Sequence, residues 1–327
     1  MKFSLFQESR KGARPYNQDR IGHWNTRESL LLVVADGMGG HLHGEVAAQV
    51  AVETLGSDFQ KDARPRISDP PAYLRRAIGR MHSAIVEHAA RSSLPESPRT
   101  TLVACIVQDG QAWWTHLGDS RLYLVRNASI VTRTRDHTLV QQLVDQGRIR
   151  EEAVGVHPER NVVLQCLGGD HVPRAGPTAS ARLAKDDILL LCSDGFWGPL
   201  SQRQLLGALT GRDMKRAIPG LMTLAETRAG PECDNLSTLA ICWHEEPAAA
   251  RTDSAPVTVP SGEMSANLQA NRQATGSSAP AIENAYMSDE DITRAIADIK
   301  LALDAQRRQN NHKNQKNQNQ NHDPENK

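Results

Sequence analysis

Five aspartates draw attention by their positions. Asp36 follows the apolar run "LLLVVA" and opens "DGMGGHLHG", in which four of nine residues are glycine and two are histidine. Asp194 follows "ILLLCS" and precedes Gly195, and Asp119 follows a short apolar segment and a glycine in "HLGDSRLYL". Asp234 lies just before the last apolar run, "ECDNLSTLAICW", and Asp19 lies in an early polar stretch, "ARPYNQDR". Singly, an Asp-Gly pair at a strand end is a common turn, since both residues tolerate tight-turn backbone. The repetition changes the reading. Carboxylates at several strand ends converge on one edge of a sheet, where, unpaired, they repel and take up protons. A hard divalent cation, Mn2+ or Mg2+, resolves the repulsion because it takes oxygen ligands and keeps several waters. The glycines fit that chemistry: Gly37 lets its backbone carbonyl approach a metal, and Gly39 and Gly40 leave the rim clear for substrate.

The elements that carry these residues read from apolar periodicity. "LLLVVA", "TLVACIV", "AWWTHLG", "RLYLVR", "DILLLCS" and "LSTLAICW" are predicted strands. "HGEVAAQVAVETLGSDF" is a predicted helix with Val46, Val50 and Leu55 along one face. "PAYLRRAIGRMHSAIVEHAARS" is another, with Leu74, Ile78, Met81 and Ile85 spaced by four, three and four. "PLSQRQLLGALTG" and "KRAIPGLMTLAETRAG" add helices before the last strand. Sheets packed with helices in one α+β domain, residues 1–245, follow from this order, and that length is ample for a core. Residues 246–285 are rich in small and polar residues and read as a flexible linker. Residues 286–308 form a predicted amphipathic helix, with Ile292, Ile296, Ile299 and Leu303 on one side, acids at its start and arginines at its end. Residues 309–327 are a disordered Asn/Gln-rich tail by composition.

Bulk properties exclude several classes. The chain has 327 residues, 38 basic and 38 acidic, which gives no electrostatic case for nucleic acid or an anionic membrane. No run approaches the roughly 18 apolar residues of a membrane span, and the first apolar residues are too few for a signal peptide core. The five cysteines, Cys105, Cys166, Cys192, Cys233 and Cys242, are scattered and form no CxxC pair. A cytoplasmic chain with reduced thiols is the expectation.

In their order and spacing, "RPYNQD", "VVADGMGGH", "GDSRLYLVR", "LLLCSDGFW" and "DNLSTLAI" resemble the metal-dependent type 2C Ser/Thr protein phosphatases, the bacterial branch most closely. "DHTLVQQLVDQGRI" and "HPERNVVLQCLGG" are similar to that family's middle segments, where a mobile flap lies beside the active site. The resemblance covers roughly residues 5–243. It implies a β-sandwich of two antiparallel sheets flanked by helices on both sides, a sharper form of the α+β expectation.

By resemblance, Asp36 bridges two metal ions, the Gly37 carbonyl serves the second, and Asp194 and Asp234 serve the first. Asp119, with Asp194, holds a weaker third ion, and Asp19 lies on the second-metal side, bound directly or through water. Arg14 grips the substrate phosphate, for which a planar guanidinium is suited. The implied reaction is two-metal hydrolysis of phosphoserine and phosphothreonine proteins. A water between the ions ionises near neutral pH and attacks phosphorus in line, without a phospho-enzyme. Cys192 and Cys233, though next to ligands in sequence, are expected to be packed as small hydrophobes.

The sequence departs from the family pattern at three places. Gln18 stands where eukaryotic members often have a glutamate, so it is left off the ligand set. Met38 stands where they often have a histidine proposed as general acid. His41 is the nearest replacement, with orienting the loop as its alternative role, and His43 reads as exposed. Cys166 stands where members often carry an arginine, so flap contacts differ. The competing function is a catalytically weak phosphoprotein-binding module or adaptor, favoured only by Gln18. By resemblance the partner is a cognate Ser/Thr kinase whose targets the enzyme dephosphorylates, and the 286–308 helix is a candidate docking element for a partner or for the catalytic domain.

Overall fold

The fold was analysed in a computed structural model, which describes residues 1–38, 43–174, 176–210 and 213–245. The expected linker (246–285), helix (286–308) and tail (309–327) lie outside the described residues, as do Gly39, Gly40 and His41.

The continuous apolar runs are strands buried on both faces. Ser29–Ala35 (β3), Leu102–Gln108 (β5) and Ile188–Cys192 (β11) contain only buried residues. Antiparallel strands often alternate apolar and polar residues because one face meets water. Here each sheet is covered twice, by the other sheet and by helices, and the alternation disappears. In β3, Leu30, Leu32 and Val34 join the core between the sheets, while Leu31, Val33 and Ala35 face the first helical layer. In β11, Leu189 and Leu191 face the other sheet, and Ile188, Leu190 and Cys192 face the second helical layer. Each such side chain contributes about 1.5–3 kcal/mol by leaving water.

The remaining elements fill out four layers. Phe3–Arg10 (β1), Arg20–Asn25 (β2), Arg99–Thr100 (β4), Gln111–Leu117 (β6), Arg121–Arg126 (β7) and Ser129–Arg133 (β8) join β3 and β5 in the first half. Leu167–Gly168 (β9), Ala179–Arg182 (β10) and Leu236–Trp243 (β12) follow with β11. One five-stranded sheet has the order β1-β12-β11-β7-β8 and the other β10-β6-β5-β3-β2, with β4-β9 as a small ladder. All pairings are antiparallel. Gly44–Asp62 (α1) and Pro70–Arg91 (α2) cover the second sheet. Asp194–Trp197 (α4), Gln202–Leu209 (α5) and Met214–Ala229 (α6) cover the first, and Leu139–Asp145 (α3) lies in the middle segment ahead of a 3-10 turn at Glu151–Val156. The β-sandwich flanked by helices is therefore present as expected.

Helix ends follow local chemistry. Asp69 caps α2 by accepting from the Ala72 N–H, with Pro70 at the first position. Ser201 and Gln204 form a capping box on α5. Leu74, Ile78, Met81 and Ile85 of α2 are all buried, as their spacing predicts. The buried face of α1 differs from expectation. It is made by Ala47, Ala48, Ala51, Val52, Leu55 and Phe59, and Val46 and Val50 lie at its partly exposed margin. Small alanines let the helix axis approach the sheet, and proximity outweighs the greater apolar area of valine.

Candidate active site

Strand register brings the aspartates together. Arg20 pairs with Ala35, so Asp19, entering β2, and Asp36, leaving β3, lie side by side at one end of a sheet. Cys192 pairs with both Arg121 and Thr238, so Asp194, leaving β11, reaches the same end of the other sheet as Asp119, which precedes β7, and Asp234, which precedes β12. Residues 215 positions apart in the chain (from Asp19 to Asp234) thus share one edge of the sandwich.

The backbone around Asp36 is held firmly. Its carbonyl accepts from the Thr101 N–H and the Thr100 hydroxyl, both at 2.8 Å, and its N–H donates to Thr101 Oγ1 at 3.1 Å. Thr101 Oγ1 also meets Ser120 Oγ at 2.7 Å, which ties the Asp36 turn to the Asp119 turn. Gly37 bonds the Gln18 carbonyl through its N–H at 3.3 Å. A Cβ on Gly37 would sit 2.4 Å from the backbone of Gly44, so glycine is required by close chain approach as well as by any role of its carbonyl.

Of the five carboxyls, only Asp234 has an ion-pair partner among the described residues. Asp19 is 3 % exposed; its Oδ2 accepts from Ser193 Oγ at 2.7 Å, and its Oδ1 is buried with no hydrogen-bond partner. Burial pushes its carboxyl up to about 6 against the Ser193 and Ser237 bonds that oppose the shift. Burial, then the charges of Asp19, Asp194, Asp119 and Asp234, hold the Asp36 carboxyl well above the usual range. Asp119 is raised likewise by burial and then by Asp194 and Asp136, and Asp194 by burial and then Asp234. Asp19, Asp36, Asp119 and Asp194 thus stand within one another's charge field, a repulsion that a bound cation would relieve. An all-oxygen set with a buried orphan oxygen fits a hard dication such as Mn2+ or Mg2+.

Arg14 stands at the rim. Its Nε and Nη2 donate to Asp234 Oδ1 and Oδ2 at 2.9 and 2.6 Å, and both side chains are about half exposed. That bond is the main cause of its raised pKa, and Asp194 and Asp36 add to it, so the guanidinium lies within the field of the cluster. His43 is exposed at the start of α1, as expected, 3.8 Å from Glu45. Cys192 and Cys233 are buried in the apolar layer under α4 and α6, and burial raises both thiols. They are packing residues.

Several site residues were missed in the sequence. Asn235, 4 % exposed, accepts from the Gln18 N–H at 2.8 Å and donates to the Lys11 and Tyr16 carbonyls at 2.8 and 3.1 Å. It thereby anchors the segment that carries Arg14 and Asp19. Ser193 joins the Asp19 carboxyl to β12, since its hydroxyl also accepts from the Ser237 N–H at 2.9 Å. Trp197 Nε1 donates to the Asp119 carbonyl at 2.9 Å. The available signal was a polar residue beside an aspartate and next to an apolar run, Ser193 in "CSDGFW" and Asn235 in "CDNLS". Gln18 turns its amide to Glu45 at 3.3 Å, consistent with leaving it out of the ligand set.

Known proteins are similar to this chain in sequence and fold. A family model described as protein phosphatase 2C matches residues 8–219. The chain is 37 % identical over 203 residues to the serine/threonine protein phosphatase PstP of Mycobacterium tuberculosis, a match covering 62 % of this chain and 38 % of that protein's length. It is 31 % identical over 240 residues to the serine/threonine phosphatase stp of Listeria welshimeri, covering 72 % of this chain and 94 % of that one. Among solved structures, the catalytic domain of PstP in complex with two manganese ions superposes with a TM-score of 0.64 at 31 % identity, covering 74 % of this chain and 99 % of that chain. With a carboxylate edge built by sheet register and a family match across most of the sandwich, this chain belongs to the protein phosphatase 2C family.

Proposed function

We propose that this protein hydrolyses phosphoserine and phosphothreonine in proteins, using two Mn2+ or Mg2+ ions and a weaker third. The observation that carries this reading is the convergence of Asp19, Asp36, Asp119, Asp194 and Asp234 at one edge of the sandwich, with a buried orphan oxygen on Asp19, beside the exposed guanidinium of Arg14. Asp36 would lie between the two ions, with the Gly37 carbonyl on one side and Asp194 and Asp234 on the other. Asp119 and Asp194 would hold the third. When bound, the ions supply a water ionised near neutral pH and neutralise the phosphate. The chain itself holds the geometry. Thr100 and Thr101 fix the Asp36 backbone, Ser193 fixes Asp19, and Asn235 fixes the segment that presents Arg14 to the phosphate oxygens. His41 is the proposed proton donor to the leaving seryl or threonyl oxygen.

The manganese complex of PstP supports the choice of metal, and the names of the relatives support the substrate class. We place the enzyme in the cytoplasm, opposite a Ser/Thr kinase. Among the described residues no helix is long and apolar enough to cross a membrane. The 286–308 segment is proposed to dock a partner or the catalytic domain through Ile292, Ile296, Ile299 and Leu303.

The deciding measurement is phosphate release from a phosphothreonine peptide and from a small aryl phosphate, with Mn2+ and after chelation. Turnover should require metal and vanish in Asp194→Asn. Full activity of chelated protein would refute the mechanism, and binding of phosphopeptide without turnover would favour the adaptor role. Truncation after residue 246 should leave aryl phosphate hydrolysis unchanged and slow the reaction on a physiological phosphoprotein; equal rates on both would exclude docking.

A further inference from the structure

At the opposite end of the β1-β12-β11 sheet, three unlike side chains meet. The donor atoms of Asp186, Cys242 and His244 all lie within 4.8 Å of one another. Cys242 is near the end of β12, His244 just beyond it, and Asp186 in the turn that enters β11. Along β12, Cys242 is eight residues from Asp234, about 25 Å at strand rise. The cluster is therefore separate from the aspartate edge.

The backbones at this end are locked. The Asp186 N–H donates to the Trp243 carbonyl at 2.7 Å, the Trp243 N–H to the Asp187 carbonyl at 2.9 Å, and the His244 N–H to the Lys2 carbonyl at 2.9 Å. Asp186 has a left-handed backbone, φ 66°. The His244 ring is also held: Nε2 meets Ser4 Oγ at 2.7 Å, and Nδ1 lies 4.0 Å from Cys242 Sγ. Ser4 is the direct cross-strand neighbour of Cys242.

We infer that Asp186, Cys242 and His244 form a zinc site. A thiolate, an imidazole and a carboxylate make a borderline-soft donor set that suits Zn2+ and not the Mn2+ or Mg2+ of the aspartate edge. Tetrahedral zinc puts sulfur and nitrogen ligands about 3.6 Å apart, and these stand at 4.0 Å, a shift that side-chain rotation supplies. In the tautomer that binding selects, Nε2–H donates to Ser4 Oγ and the Nδ1 lone pair faces the metal, the usual support for a ligating histidine. Asp187 is not available as a ligand, because Arg126 holds both its carboxylate oxygens at 2.7 Å. Binding releases the Cys242 thiol proton to solvent, and water completes the fourth position. The consequence is a clip joining the turn before β11 to the end of β12, with Ser4 of β1 behind the histidine.

The test is a Co2+ titration of the full chain in excess Mg2+, followed by near-ultraviolet absorption. Cobalt bound through a thiolate gives an intense charge-transfer band, which oxygen ligands do not. We expect a band that saturates at one equivalent, is erased by one equivalent of Zn2+ and is absent in Cys242→Ser. His244→Gln and Asp186→Asn, both at exposed positions, should weaken apparent affinity by about tenfold or more, and Ser4→Ala by about tenfold through loss of ring orientation. Thermal melting confirms that each variant is folded, and if the serine variant is not, His244→Gln carries the test alone. A parent protein without the band, or a band undiminished in the folded variants, overturns the site.

Discussion

Two groups of buried aspartates in this molecule meet opposite fates. Asp187 is 0 % exposed and Asp136 nearly so, and each is gripped by an arginine through two bonds of 2.7 Å, from Arg126 and Arg121. Asp19 and Asp119 are buried and Asp36 and Asp194 are partly so, and the carboxyls of all four are driven up because burial and like charge dominate. The first group is electrostatically finished by the chain. The second is left electrostatically unfinished by the described residues. The two are also joined: Arg121, held by Asp136, stacks 3.3 Å over the Trp197 ring, and Trp197 holds the Asp119 carbonyl. A satisfied ion pair thus steadies one member of the unsatisfied cluster.

The contrast breaks most visibly at the cluster itself. Asp36→Ala or Asp194→Ala should lower kcat on aryl phosphate by about a thousandfold, since metal charge stabilisation is worth several kcal/mol. The same substitutions should leave the metal-free protein at least as resistant to urea as its parent, because they remove repulsion. Asp187→Ala should do the reverse. It strands Arg126 and costs about 3 kcal/mol of stability in urea unfolding, with kcat per folded molecule unchanged.

Arg14→Ala should raise KM about ten- to a hundredfold with kcat changed little, the scale of lost charged hydrogen bonds. An unchanged KM would place the phosphate elsewhere.

The pH dependence sharpens the comparison. A carboxyl raised in the folded state binds its proton more tightly than in the unfolded chain, so stability falls as pH rises through the interval between the two values. For Asp19 that interval runs from 3.8 to about 6. Metal-free protein should therefore melt at a lower temperature at pH 7 than at pH 5, and saturating Mn2+ should abolish or reverse the slope, because metal binds the ionised form. A metal-free melting temperature that rises from pH 5 to 7 would contradict the raised carboxyls. The smallest effect is expected for Trp197→Phe, which removes one bond to the Asp119 carbonyl, worth about 1 kcal/mol. Turnover should fall severalfold, with the loss recovered at high Mn2+.

Much of the sandwich was legible because its central strands are covered twice. Short apolar runs rich in Val and Leu and bounded by turn residues, such as "LLLVVA" and "ILLLC", suit a doubly buried strand. The edge strands were not legible. β8 alternates half-buried and exposed residues, β1 is half-buried and then alternates, β10 is mostly exposed, and β2 carries a glycine and a histidine, so none shows an uninterrupted apolar run. The face of α1 was misplaced because apolar size favours valine, whereas close packing against a sheet favours the alanines at 47, 48 and 51.

For the site, the sequence by itself determined which residues carry charge and that Asp36, Asp119, Asp194 and Asp234 sit where a strand begins or ends, whereas Asp19 was placed only in a polar stretch. An aspartate cannot continue an apolar strand into the core without a partner, so its place at the boundary follows from local chemistry. Only the tertiary structure decided that five such boundaries face one another. That depends on the register of β2 with β3 and of β11 with β7 and β12, and on the stacking of two sheets, none of which is a local property. The same holds for Asn235, Ser193 and Trp197, whose hydrogen bonds span residues far apart in the chain. Side-chain chemistry is written residue by residue, but a carboxyl's proton affinity is set by what folding places beside it.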